Sequence, residues 1–133
     1  MGIEIERRFL ISSSQKSVWG GDSLQIRQFY VDKEIVSHLI PTDIDVSMFH
    51  LWRIRSSQHA CFLTGKGRRI GATGVEFEWE ISREEFNRID GSYTLFGIEK
   101  TRFLWRGNDG LLWEIDEFEG THNGLIIAEV ELD

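Results

Sequence analysis

The sequence has little cysteine, little proline and no long apolar run. Its 133 residues include one cysteine and one proline, so an internal disulfide framework is excluded. Cys61 lies in an apolar run, which predicts a reduced, buried side chain and a cytoplasmic protein. No apolar stretch approaches the roughly 20 residues that a transmembrane helix needs. The charged, alternating start also predicts that no signal peptide precedes the domain.

Basic residues are in the minority as well. Fifteen Lys and Arg stand against 22 Asp and Glu, a formal net charge of −7, which argues against a general nucleic-acid binder because phosphate contacts need a basic surface. The Gly65-Lys66-Gly67 segment does not satisfy the P-loop pattern, and the cysteine and four histidines have no zinc-ligand spacing. No repeat or linker is visible, so we expect one domain over residues 1–133.

Apolar and polar residues alternate with period two in most of the chain. This period, with β-branched and aromatic residues on one face, predicts a mainly β fold of eight antiparallel strands. The predicted strands are 3–11, 24–32, 49–56, 59–66, 75–82, 98–106, 111–118 and 124–132. Short turns at 57–58 and 108–110 predict two hairpins.

Two further segments carry other signals. Ser82 and Glu85 form a capping-box pattern, and Ile81 can pack on Phe86, which predicts a helix over 83–90 outside the sheet. Residues 33–47 are interrupted by Pro41. Because a structureless loop of that length is unusual in a compact domain, we expect a short extra strand there.

The charges fall on one face of the strands, and their sign changes from strand to strand. Glu76, Glu78 and Glu80 alternate with Phe77, Trp79 and Ile81, and other strands repeat the pattern with basic residues. Such faces can simply meet water, as in many antiparallel sheets. Like charges two residues apart repel each other, however, and a solvated face would gain from mixed signs across strands.

A ligand of opposite charge would remove this repulsion. Glu-x-Glu offers hard oxygen ligands suited to Mg²⁺ or Mn²⁺, and Arg-x-Arg offers donors suited to phosphate. If the sheet closes with its charged faces inward, metal and polyphosphate would share the lumen. The apolar faces would then turn outward onto helices or a partner chain.

An ordered series of motifs resembles the CYTH superfamily, the triphosphate tunnel metalloenzymes. The family signature Glu-x-Glu-x-Lys corresponds to Glu4-Ile5-Glu6-Arg7-Arg8. Further matching segments follow in order along nearly the whole chain: Gln28 and Tyr30, Arg53-Ile54-Arg55, Leu63-Thr64-Gly65-Lys66, Glu76-Phe77-Glu78, Glu99-Lys100-Thr101-Arg102, Trp113 to Gly120, and Ala128-Glu129-Val130-Glu131.

The resemblance implies an eight-stranded antiparallel β-barrel, closed or nearly so, that forms a tunnel binding a triphosphate with Mg²⁺ or Mn²⁺ and hydrolysing a phosphoanhydride bond. Carried over by position, it implies catalytic roles for Glu4, Glu6 and Arg8. The implied metal ligands are Glu4, Glu6, Glu76, Glu78, Glu114, Asp116, Glu129 and Glu131. The implied phosphate-binding residues are Arg27, Arg53, Arg55, Lys66, Lys100 and Arg102.

Two departures from the family pattern affect the expected function. Arg8 stands in place of the signature lysine, and a guanidinium does not give up a proton near neutral pH. The sequence also stops shortly after the last Glu-x-Glu, which predicts a short form without the C-terminal helical extension and exposed outer aromatics that favour a homodimer. The alternatives to a triphosphatase are a polyphosphate-binding module without turnover and an adenylate cyclase. No nucleic-acid or membrane partner is expected.

Overall fold

In its described residues, the chain forms eight strands and two α-helices. A computed structural model describes residues 2–12, 19–20, 22–70, 73–93 and 97–132, and of residues 2–5, 69–70, 73 and 93 the backbone alone. The structure confirms the eight predicted strands, with the largest difference at the end of β4. The strands are β1 (Gly2–Leu10), β2 (Ser23–Tyr30), β3 (Leu51–Ser56), β4 (Cys61–Ile70), β5 (Thr73–Ile81), β6 (Ile98–Arg106), β7 (Leu112–Phe118) and β8 (Ile126–Leu132).

Every strand pairs with two antiparallel neighbours. The order around the sheet is β1-β5-β4-β3-β2-β6-β7-β8, and the pairing of β8 with β1 closes it into a barrel. At that closure Glu6 lies opposite Glu131 and Arg8 opposite Glu129. Strands that are far apart in sequence are therefore brought side by side around one lumen.

The two predicted hairpins are confirmed. Ser57 donates its backbone N–H to the Ala60 carbonyl at 2.9 Å in the turn between β3 and β4. In the turn between β6 and β7, the Asp109 carboxylate accepts from the Leu111 backbone N–H at 2.9 Å. Gly110 follows with a φ of 81°, a left-handed conformation that glycine adopts without strain.

The predicted helix is present as α2 (Arg83–Tyr93). Its capping box is formed, because Glu85 N–H donates to Ser82 Oγ at 3.0 Å and Ser82 N–H donates to Glu85 Oε1 at 3.3 Å. Ile81 and Phe86 are buried in the same apolar cluster. The first turn of α2 is thus fixed by local sequence, and its apolar side is fixed by packing on the barrel.

The prediction of an extra strand within residues 33–47 is wrong. The structure has a one-turn helix there, α1 (Lys33–Val36), followed by a 3-10 turn at Val46–Met48. The Asp45 side chain accepts from the Ser47 backbone N–H at 3.0 Å at the start of the 3-10 turn. Val36, Ile40 and Phe49 are all buried against the barrel, so packing determines the path of this segment.

The apolar core lies outside the barrel. Trp52, Phe77 and Trp79 on the outer face pack with Phe49, with ring centroids 5.0 Å apart for Phe49 and Trp52. Gly65 makes this packing possible, because a Cβ there would lie 2.6 Å from Trp52 Cζ3. The two helices cover this cluster, so the tryptophans serve as packing residues, as the sequence predicts.

A second outer apolar cluster covers the opposite side of the barrel. It consists of Trp19, Ile115, Ile126 and Ala128, with Phe103, Trp105 and Trp113 packed around it. Among the described helices, none is long and apolar enough to cross a membrane. With apolar residues on the outside, the charged faces of the strands are left to line the interior.

Candidate functional site

The charged faces converge on one cavity of about 440 Å³ inside the barrel. The residues that line it are Glu6, Arg8, Gln28, Tyr30, Arg53, Arg55, Lys66, Glu76, Glu78, Ile98, Lys100, Arg102, Glu114, Phe118, Ile127, Glu129 and Glu131. The lining includes six carboxylates and six basic side chains. The lumen as a whole is therefore close to neutral while being densely charged.

The two signs occupy opposite sides of the lumen. The basic arc consists of β4, β3, β2 and β6, which follow one another around the barrel and carry Lys66, Arg53, Arg55, Lys100 and Arg102. The acidic arc consists of β7, β8, β1 and β5, and carries Glu114, Glu129, Glu131, Glu6, Glu76 and Glu78. Arg8 is the basic residue that lies within the acidic arc. The lumen can therefore hold an anion and a cation side by side.

Ion pairs join the arcs where they meet. On one border Lys66 Nζ lies 3.7 Å from Glu76 Oε2. On the other, Asp116 accepts from Arg102 through both oxygens, at 2.8 and 3.0 Å, and its Oδ2 lies 2.7 Å from Lys100 Nζ. The charges at the borders are thus largely neutralised by the protein itself.

At the second border, Lys100 and Asp116 both have shifted pKa values. Burial lowers the pKa of Lys100 to about 8, although Asp116 opposes that shift. The pKa of Asp116 is lowered, because hydrogen bonds and charge from Arg102 and Lys100 outweigh its burial. Asp116 is 1% exposed. This carboxylate therefore stays ionised and holds two cations in place.

Among the described residues, the arginines at the centre of the basic arc have no carboxylate partner. Arg53 is buried, and in the described part of the chain its Nε has no hydrogen-bond partner. Arg55 donates to the Gln28 amide oxygen at 2.8 Å. Burial lowers the pKa of Arg55 to about 10, and repulsion from Arg53 and Arg102 adds to the effect. Two neighbouring guanidinium groups without a carboxylate form a site for an anion.

The centre of the acidic arc has the opposite character. Burial raises the pKa of Glu129, and the nearby Glu6 carboxylate raises it further while Arg8 opposes. Arg8 Nε lies 3.3 Å from Glu129, and its Nη2 lies 3.6 Å from Glu6. The Arg8 side chain is 59% exposed and lines the cavity beside these two carboxylates. Crowded carboxylates of this kind offer oxygen ligands that suit a cation.

The carboxylates at this centre have the donor chemistry that Mg²⁺ and Mn²⁺ prefer. Glu6 and Glu129 are near enough to perturb each other, and Glu131 lies opposite Glu6 in the register. Among the described residues, no three His, Cys, Asp or Glu side chains are grouped closely enough to hold a metal. Glu6 and Glu129 could hold Mg²⁺ or Mn²⁺ only together with ligands from water or substrate, which Mg²⁺ commonly retains in proteins.

Two candidate residues have a different place from the one predicted. Arg27 does not line the lumen, because its guanidinium faces outward and lies 2.8 Å from Asp90 of α2 and 3.4 Å from Glu99. Asp116 does lie on the inner side, but both oxygens are bonded to basic side chains, so it is not placed as a metal ligand. The side chain of Glu4 lies outside the described residues.

Sequence reasoning assigned no site role to several residues that the structure places on the inner side. Gln28 and Tyr30 line the cavity on β2, and Thr64 on β4 has a buried hydroxyl between Leu63 and Gly65 of the outer face. Ile98, Phe118 and Ile127 complete the lining. Strand alternation places Thr64 on the same face as Lys66, and this signal could have identified it.

Comparisons with known proteins agree with this architecture. No family model matches the sequence. An inorganic triphosphatase of Acetivibrio thermocellus is 34% identical over 134 residues, which cover 99% of this chain and 76% of that protein. An inorganic triphosphatase of Nitrosomonas europaea is 29% identical over 128 residues, covering 96% and 75%. A crystal structure of an inorganic triphosphatase matches with a TM-score of 0.61 and 28% identity, over 99% of this chain and 75% of that one.

The fold is thus an antiparallel β-barrel with charged side chains inside and aromatic side chains outside. The chain belongs to the CYTH superfamily, together with these inorganic triphosphatases.

Proposed function

We propose that this protein hydrolyses a phosphoanhydride bond of inorganic tripolyphosphate or a small organic triphosphate, bound in a tunnel together with Mg²⁺ or Mn²⁺. The observation that carries the proposal is the division of the lumen into two arcs of opposite charge. The central arginines of the basic arc have no carboxylate partner among the described residues, and Glu6 and Glu129 of the acidic arc share the single positive charge of Arg8. A triphosphate with its metal supplies an anion for one centre and a cation for the other. The relatives are named for the same class of reaction.

The basic arc would hold the phosphate chain. Arg53 and Arg55 are the natural first contacts, because neither has a carboxylate partner among the described residues. Lys66, Lys100 and Arg102 extend the arc on both sides. Asp116 keeps the last two in position, so they meet the substrate already oriented, and such preorganisation is the largest source of rate in reactions of this kind.

The acidic arc would hold the metal, with Glu6 and Glu129 nearest to it and Glu131 alongside. Glu4 and Arg8 are included with Glu6 in the proposed catalytic group, Arg8 as a positive charge beside Glu6 and Glu129. A bound Mg²⁺ or Mn²⁺ supplies neutralisation of phosphate charge and a water of lowered pKa. In phosphoryl transfer the protein mainly aligns the attacking water and stabilises charge, because little covalent chemistry falls to its side chains.

The test is release of inorganic phosphate from tripolyphosphate, ATP and thiamine triphosphate, with Mg²⁺, with Mn²⁺ and with a chelator. We expect release from tripolyphosphate with either metal and none with the chelator. Glu6→Gln should abolish release, whereas Glu84→Gln, the same change on exposed α2, should not. Saturable binding without phosphate release would instead identify a binding module. Formation of a cyclic nucleotide from ATP would identify a cyclase.

A further inference from the structure

Thr64 combines complete burial with a polar atom that has no partner. It lies on β4, is 0% exposed, and in the described structure its Oγ1 makes no hydrogen bond. Its neighbours Leu63 and Gly65 face the outer core, and Lys66 lines the cavity, so the Thr64 side chain points to the inner side of the barrel. A buried hydroxyl in this condition is unfavourable for the unliganded protein.

The second unpartnered atom lies directly opposite. Arg53 is the register partner of Thr64 in the pairing of β3 with β4, and directly opposed residues have Cβ atoms about 4.5 to 5.5 Å apart. Arg53 Nε is also buried and without a hydrogen-bond partner in the described structure. A donor and an acceptor thus lie on facing residues without being bonded to each other.

Among the described residues, the other buried arginine and lysine side chains of the basic arc do have partners. Arg102 and Lys100 are fixed by Asp116, and Arg55 is fixed by Gln28. Arg53 and Arg55 repel each other, and in the described structure no group accepts from Arg53 Nε, so an entering anion can reorient the Arg53 guanidinium. A turn that brings Nε–H onto Thr64 Oγ1 would satisfy both buried atoms at once.

We propose that Thr64 is a positioning residue, an inference that rests on the proposed function. On substrate binding, the Thr64 hydroxyl accepts a hydrogen bond from Arg53 Nε–H, and this bond directs the terminal guanidinium nitrogens of Arg53 at the phosphate chain. The two unpartnered atoms are then a property of the empty site, and substrate binding removes both. Thr64 acts through Arg53 and touches no reacting atom.

The test compares Thr64→Val with Thr64→Ser and with Thr101→Val. Thr64→Val keeps the shape but removes the hydroxyl, so we expect KM for tripolyphosphate to rise roughly tenfold, the range of a hydrogen bond to a charged group, with a smaller change in kcat. Thr64→Ser should retain the wild-type KM. Thr101 bonds Glu119 at 2.6 Å on the outer side, so Thr101→Val should leave KM unchanged.

Thermal unfolding without substrate distinguishes positioning from a structural role. Thr64→Val should unfold at the same temperature as wild type or a few degrees higher, because an unsatisfied buried hydroxyl has been removed. Tripolyphosphate with Mg²⁺ should stabilise Thr64→Val less than it stabilises wild type. A lower unfolding temperature without substrate would overturn the proposal.

A double-mutant cycle tests whether the effect passes through Arg53. Lysine has no donor equivalent to Nε, so Thr64→Val should change KM little in an Arg53→Lys background. An equal rise in both backgrounds, or an unchanged KM in wild type, would overturn the inference. Absence of phosphate release from the wild-type protein would be a different result, since it would reject the proposed function itself.

Discussion

Arg53 and Arg102 offer a matched comparison, because they lie in the same arc at nearly equal exposure, 8% and 7%. They differ in their partners. Arg102 bonds both oxygens of buried Asp116, whereas Arg53 has no ion pair among the described residues. Replacing each by methionine keeps the apolar stem and removes the charge. The two replacements should therefore differ in their effect on stability, although both residues line the proposed phosphate site.

The expected magnitudes follow from these contacts. Arg102→Met leaves Asp116 buried with Lys100 alone, and breaking a buried ion pair costs roughly 3 to 5 kcal/mol. For 133 residues, an unfolding entropy of about 2.1 cal/mol/K per residue converts 3 kcal/mol into a fall of roughly 10 °C in Tm. Arg53→Met breaks no ion pair and should leave Tm unchanged or raise it. It should raise KM for tripolyphosphate roughly 10- to 100-fold, from about 1.5 to 3 kcal/mol for one charged hydrogen bond.

The assays are thermal unfolding without ligand and steady-state phosphate release with Mg²⁺. Equal losses of Tm in the two variants would refute the distinction between a paired border and an unpaired centre. An unchanged KM for Arg53→Met would remove Arg53 from the phosphate site. Either result would also weaken the assignment of the basic arc as the place where the phosphate chain binds.

Three further predictions concern other parts of the lumen and its surroundings. Glu129→Gln should abolish metal-dependent turnover. Because the folded-state pKa of Glu129 is raised, the same change should raise Tm at pH 7, and the difference from wild type should disappear below about pH 4.5. A lower Tm at pH 7 would mark Glu129 as structural. The folded-state pKa of Lys100 is lowered from 10.5 to about 8, so the unfolded chain binds more protons than the folded protein between these pH values. The free energy of unfolding of wild type should therefore rise with pH across this range, relative to that of Lys100→Met. The same pH dependence of unfolding by urea in the two proteins would contradict this. Arg27→Met should lower the free energy of unfolding by about 1 kcal/mol through the part-exposed Asp90 pair and leave KM unchanged, whereas a raised KM would return Arg27 to the substrate site.

The strands and their inner faces could be predicted because both depend on local alternation. Pairs of like charges two residues apart, such as Glu-x-Glu and Arg-x-Arg, identified the inner face of β1, β3, β5, β6, β7 and β8. On β2 no such pair exists, and the phosphate-binding role of Arg27 was implied by the resemblance alone. Arg27 shares a face with Phe29, which packs against Phe86 of α2. The partner that draws Arg27 outward is Asp90, 63 residues away. A single strand contains no signal of such a distant partner.

The role of Asp116 and the structure of residues 33–47 could not be predicted from the sequence either. Alternation placed Asp116 on the correct face, but its role depends on the register that sets it opposite Arg102. Residues 33–47 contain a four-residue helix, which is far too short to be stable alone. It is held by the burial of Val36 and Ile40 on the barrel. Pairing partners and packing surfaces are properties of the assembled fold.

The dependence on metal follows from the distribution of charge more than from any one ligand. A triphosphate that binds Arg53 and Arg55 must also face Glu6, Glu129 and Glu131 across the lumen, and carboxylates repel it. If the triphosphate bound without a metal, it would neutralise the basic arc, and the six lining carboxylates would then lack compensating positive charge. An anion and a cation entering together leave neither centre uncompensated. We therefore expect the metal to tighten triphosphate binding as well as to promote its hydrolysis, and equilibrium binding to Glu6→Gln with and without Mg²⁺ separates these two effects.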